Sequence, residues 1–144
     1  MSWMVVRVRG TIHARHDITE TLRFLHLSRP NHATVLPEEP SVRGMLMKVQ
    51  GYITWGEADR ATVGELLQHR GETVDGRKVA GDKELPELAQ AVTDQGLIAT
   101  SRLKPLFRLK APKGGWRSTK KPFARGGALG YRGAKINDLV RRML

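Results

Sequence analysis

Between Lys110 and Gly127 the chain reads Lys-Ala-Pro-Lys-Gly-Gly-Trp-Arg-Ser-Thr-Lys-Lys-Pro-Phe-Ala-Arg-Gly-Gly, interleaving cations with glycines and two aromatics. That mixture suits a nucleic-acid backbone. Lys110, Lys113, Arg117, Lys120, Lys121 and Arg125, with Arg132 a little further on, can neutralise phosphates and release their counterions. Glycines let a backbone approach closely, and Trp116 or Phe123 can stack on an unpaired base. The plain alternative is a solvated flexible tail. Trp116 sharpens that choice: amid glycine and lysine it has no local apolar face to join, so it either folds back onto a core or meets a ligand.

A second group, Arg9, Arg15, Arg29, Asn31, His32 and Arg43, sits among turn residues nearer the start. Taken singly, each reads as a surface polar residue; together with the basic segment they suggest bidentate guanidinium contacts to phosphate. Arg43 falls in the first turn of an expected helix, where free N–H groups and the dipole already favour an anion. Other chemistries find little support. His13 and His16 lie three apart, but zinc needs two more ligands from a chain without cysteine. The cluster Gly126, Gly127 and Gly130 matches neither the phosphate-loop nor the dinucleotide pattern. No carboxylate pair and no Ser/His/Asp set stands out, so no catalytic role is assignable and no cofactor is expected.

The charge is segregated along the chain. Net charge is +11, yet residues 1–100 hold 12 Lys and Arg against 13 Asp and Glu, while residues 101–144 hold 13 against one. A dozen uncompensated cations repel one another and stabilise no fold by themselves, so a polyanionic partner is expected; RNA, DNA or an anionic membrane would each serve. At 144 residues, one principal core with an appended basic segment fits the length. The longest apolar stretches, such as Trp3 to Val6, fall far short of the roughly 18–20 residues that cross a bilayer, and no signal-peptide pattern opens the chain. The absence of cysteine fits a reducing compartment, and a cytoplasmic location is expected.

The elements that must carry these residues follow from periodicity. Residues 3–9 read as a strand closed by Gly10. Asp17 and Glu20 suggest a capping box opening a helix with Ile18, Leu22, Phe24 and Leu25 on its apolar positions, ended before Pro30. Ala33–Leu36 form a second strand. Ser41 is a cap for a helix bearing Val42, Met45, Leu46 and Val49, and Tyr52–Trp55 form a third strand. Thr62 and Glu65 suggest another capping box, for a short helix stopped by Gly71; a polar loop then leads to a helix over about 84–95. Leu106–Leu109 read as one more strand. Residues 110–133, with six glycines and few aliphatics, are expected to bury no core, and 134–144 return to helical spacing. Strand–helix–strand repeats by themselves suggest parallel neighbours.

Residues 1–57 resemble ribosomal protein L thirty, whose archaeal members correspond to the eukaryotic large-subunit protein seven. The likeness rests on Arg9-Gly10-Thr11, Thr21-Leu22 with Leu25, Arg29-Pro-Asn31-His32, Ser41-Val-Arg43-Gly44-Met45-Leu46 and Tyr52-Ile-Thr54-Trp55-Gly56-Glu57. It continues through Pro112-Lys-Gly114-Gly115, Gly126-Gly127, Gly130 and Ile136-Asn137-Asp-Leu139-Val-Arg141-Arg142-Met143, with residues 58–100 least distinctive. The basic C-terminal part without a long basic segment before the first strand is similar to archaeal members. The resemblance implies an α+β fold: a two-layer β-α-β-α-β core over residues 1–57 with a small, mostly antiparallel sheet, and a helical and basic extension over 58–144. It also implies a structural, non-enzymatic protein bound to large-subunit ribosomal RNA beside other ribosomal proteins, with no membrane and no small-molecule substrate. Carried to matching positions, Arg9, Arg29, Asn31, His32, Arg43 and Gly44 face the RNA. The competing reading of the same charge is a nucleic-acid-binding protein outside the ribosome, an RNA chaperone or DNA-compacting protein; a nuclease or RNA-modifying enzyme comes third.

Overall fold

The computed structural model describes residues 2–10, 12, 14–73, 76–77, 85–96, 103–116 and 118–144. Arg117, His13 and most of the polar loop around Asp75 lie outside the described residues. Six strands form one sheet: β1 (Ser2–Arg7), β2 (His32–Pro37), β3 (Ile53–Glu57), β4 (Phe107–Arg108), β5 (Ser118–Pro122) and β6 (Gly127–Tyr131), in the order β4-β2-β1-β3-β6-β5. β1 is central and antiparallel to both β2 and β3, and β4 is antiparallel to β2, so the antiparallel arrangement implied by the resemblance is the one observed. Among the described residues, parallel pairing enters through the last strands, where β6 runs parallel to β3 and β5 parallel to β6. A mixed α+β fold results, with five α-helices among the described residues.

Alternation along the strands divides two apolar faces. Val5, Leu36, Ile53 and Trp55 pack beneath α1 (His16–Phe24) and α2 (Pro40–Lys48), against Leu22, Val42 and Leu46. Met4, Val6, Ala33, Val35 and Phe107 point the other way, onto α3 (Arg60–Arg70), α4 (Leu85–Gln95) and α5 (Ile136–Met143). The first 57 residues thus supply a sheet with one helical layer, and the later helices cover its opposite face. Both sides of β1 being buried explains the near-continuous apolar run of that strand.

The helix starts differ from expectation. Neither capping box forms. Asp17 lies inside the first turn of α1, where Arg15 is the N-cap without a side-chain bond, and Glu20 pairs with Arg23 at 2.8 Å. A carboxylate one turn in still complements the helix dipole, which is why the sequence tolerates it there. α3 starts earlier than Thr62 because Asp59 is available: its carboxylate accepts from the Ala61 N–H at 3.3 Å, and Thr62 is buried within the helix. α2 starts on Pro40, whose fixed φ suits the first helical position, ahead of Ser41. Phe24 is 72% exposed, not part of the apolar face, since two residues from Leu22 rotate it about 200° around the helix.

The largest difference concerns residues 110–133. They do bury a core: β6 adds Ala128 and Leu129 to a cluster with Val8, and Trp116 packs on it from the side. The strand fits beside β3 because glycines remove side chains at close approaches. A Cβ on Gly56 would overlap the Gly133 carbonyl, and one on Gly127 would overlap that of Lys121.

Candidate nucleic-acid interface

One end of the sheet gathers the loop residues. The ends of β1 and β4 and the starts of β2 and β3 meet there, because antiparallel register sets Ala33 opposite Val6, Ile53 opposite Arg7 and Arg108 opposite His32. Arg7, His32 and Arg108 therefore stand in a row across three strands, on the sheet face that carries α1 and α2. Arg7 is only 1% exposed, and its guanidinium donates from Nε to the Arg9 carbonyl (2.9 Å) and from Nη1 to the Leu27 carbonyl (2.7 Å). Those two bonds tie down the chain leaving β1 and the chain entering β2. Asn31 takes a left-handed φ of 68°, donates its N–H to the Arg7 carbonyl at 2.8 Å and accepts from Leu109 at 3.2 Å. Asparagine is among the few residues that adopt this conformation readily.

Positive charge at this end is uncompensated. Among the described residues, Arg7, Arg29 and Arg108 make no ion pair. His32 is held below its ordinary pKa, first by burial and then by the positive charges of Arg108, Arg29 and Arg7. Burial likewise lowers Arg7. The His32 Nδ1 and Asn31 Oδ1 atoms are buried and have no hydrogen-bond partner. A buried polar atom left unpaired costs about 1–3 kcal/mol, and because the Asn31 Oδ1 accepts, only a donor such as a hydroxyl could restore its bond. Arg9 flanks the row, its guanidinium 5.2 Å from the Tyr52 ring and 3.4 Å from the Gly51 carbonyl.

The remaining expected residues divide. Arg15 is exposed and pairs with Asp17 at 3.2 Å, so it is partly compensated. Arg43 and Gly44 lie on the exposed side of α2, apart from the row; Arg43 sits one turn past the N-cap Glu39. A Cβ placed on Gly44 meets nothing within 4 Å, so the fold itself does not require glycine at this mid-helix position.

In the basic segment, Lys110 and Lys113 donate their backbone N–H groups to the carbonyls of Met143 (3.1 Å) and Arg142 (3.0 Å), filling acceptors left open at the end of α5. Their side chains point outward, as do those of Lys120, Lys121 and Arg125 along β5 and the short 3-10 turn after it. These last three occupy the edge of the sheet opposite β4. Trp116 is half-buried, packed against both helical and β6 clusters. Arg132 is anchored, with Nε on the Thr54 hydroxyl and Nη2 on the Ala128 carbonyl, both at 2.7 Å. The structure thus brings together Arg9, Arg29, Asn31 and His32 at one end and the basic-segment residues along α5 and the far edge. Composition and motif alone do not single out Arg7 and Arg108. Their signal was the alternation of Val-Arg-Val-Arg and Phe-Arg-Leu-Lys, which puts an arginine on the helix-covered face of each strand.

A family model for ribosomal protein L30p/L7e matches residues 3–53. Over nearly the whole chain the sequence is similar to proteins named large ribosomal subunit protein uL30. That of Nanoarchaeum equitans is 41% identical over 153 residues, covering 99% of this chain and 98% of the relative. That of Methanosphaera stadtmanae is 40% identical, covering 99% of each, and that of Methanopyrus kandleri is 42% identical over 95% of this chain and 100% of the relative.

Proposed function

Because the chain belongs to the ribosomal protein L30p/L7e family, we propose that it is a structural constituent of the large ribosomal subunit that binds and braces folded ribosomal RNA. The observation that carries the RNA-facing assignment is the exposed pair Arg29 and Arg108 around His32, with Arg7 buried behind them: arginines without carboxylates among the described residues, next to two unsatisfied polar atoms. Phosphate oxygens supply the charge and the acceptors that the arginine donors call for, while the Asn31 Oδ1, an acceptor, calls for a donor such as a ribose hydroxyl. Residues 1–57 dock through the end of the sheet and the exposed side of α2, and residues 58–144 add Lys110, Lys113, Arg117, Lys120, Lys121 and Arg125 as a second line of phosphate contacts. Neighbouring ribosomal proteins complete the surroundings. The role is structural, with no catalytic step, and its place is the cytoplasmic ribosome. Shape and charge dominate recognition, since phosphate contacts fix position without reading sequence.

Titration of deproteinised large-subunit RNA tests this. Arg29→Ala and Arg43→Ala should each weaken binding several-fold with an unchanged melting temperature, because both side chains are exposed and neither makes an ion pair among the described residues. A melting temperature that drops along with the affinity would make these residues structural instead.

A further inference from the structure

A cavity of about 310 Å³ opens between the glycine-rich segment and α5, lined by Trp116, Phe123, Arg132, Lys135, Asp138 and Arg142. Two aromatic rings and three cationic side chains are among its lining residues. Trp116 is fixed by packing on two apolar clusters, and Phe123 is held with the Arg132 guanidinium 4.8 Å and the Lys135 ammonium 5.5 Å from its ring centre. Arg132 is itself immobilised by its bonds to Thr54 and Ala128, so this corner is built before any ligand arrives. Three cations face one carboxylate, and Asp138 is in turn 3.9 Å from Arg141.

We propose that this cavity receives a single unstacked nucleotide of the bound RNA, its base against the aromatic walls and its phosphate toward Lys135 and Arg142. The proposal rests on the RNA-binding role above and gives it a defined subsite. An inorganic phosphate would leave the two aromatic rings unused, and an apolar ligand would leave the exposed Lys135 and Arg142 side chains without a counter-charge from it. The volume lies at the small end of ligand sites, about 300–1,000 Å³, which suits one nucleotide rather than a duplex. Stacking on an aromatic ring is tolerant of base identity, so the pocket anchors a looped-out residue without reading sequence.

The test is ultraviolet crosslinking of the full chain to deproteinised large-subunit RNA, followed by mass spectrometry of nucleotide-bearing peptides. A one-nucleotide adduct on Trp116 or Phe123 is expected, with a yield that excess free nucleoside monophosphate leaves unchanged. Adducts elsewhere in the chain but none on these two rings would overturn the proposal and leave RNA binding intact; loss of the adduct to free nucleotide would make it a mononucleotide site and overturn it equally. If the chain fails to bind the RNA at all, both readings fall. Phe123→Leu, at a half-buried position, should weaken RNA binding about tenfold at every salt concentration without altering the salt slope, as expected for one lost stack. Wild-type affinity in that variant would also contradict the pocket.

Discussion

Gly44 shows how a single residue separates folding from binding. Glycine inside a helix costs about 0.5–1 kcal/mol relative to alanine, and nothing in the chain occupies the space its Cβ would fill. Gly44→Ala should therefore raise stability by about that amount while weakening RNA binding, measured by denaturant melts and titration of the same sample; equal affinity would show that no backbone approaches there. His32 gives the second residue-scale test. Its pKa is lowered from 6.5 by burial and by Arg108, Arg29 and Arg7, so the folded chain takes up its proton less readily than the unfolded one. The stability tied to neutral His32 is present above about pH 6.5 and declines as pH falls below it, where only the unfolded imidazole protonates readily. Denaturant midpoints of wild type and His32→Asn should diverge only in that lower range, and parallel curves would contradict the local field. A phosphate beside the ring opposes the arginines, so bound RNA should reduce the divergence.

Elements were legible where one face was buried and the period was clean. The positions of α4 and α5 and the short β4 were all readable, because each joins apolar periodicity to a clear stop such as Gly96 at φ 82°. β6 was not. Gly127-Ala-Leu-Gly-Tyr has too few side chains to show alternation, and its place beside β3 depends on a close approach to Gly56 that only the assembled sheet reveals. The consequence is practical. Removing residues 110–133 would take away β5 and β6, two strands of the sheet, so that deletion confounds folding with charge. Substituting Lys120, Lys121 and Arg125 by Gln keeps β5 and its turn while removing three exposed charges. The triple variant should flatten the plot of log affinity against log salt by about 2–3, at roughly 0.7–0.9 per phosphate contact, with the melting temperature preserved. An unchanged slope would take this edge off the RNA.

At the scale of the molecule, the chain combines a near-neutral first hundred residues with a final stretch carrying all the excess charge, and the fold places cations of that stretch at both sheet edges and at the end of α5. The sequence alone pointed to a polyanion, because charge repulsion is a one-dimensional property. It could not show that Arg7 and Arg108 line up beside His32, since strand register joins residues 25 and 76 positions apart. The family places the chain in the large subunit, and the two cationic surfaces give a physical reason for it to stay there. Sedimentation of salt-washed large subunits, probed for this chain, tests that most directly. About one copy per particle is expected, released only at salt concentrations that strip RNA-bound proteins. Particles that are complete and free of the chain, with all of it at the top of the gradient, would contradict it.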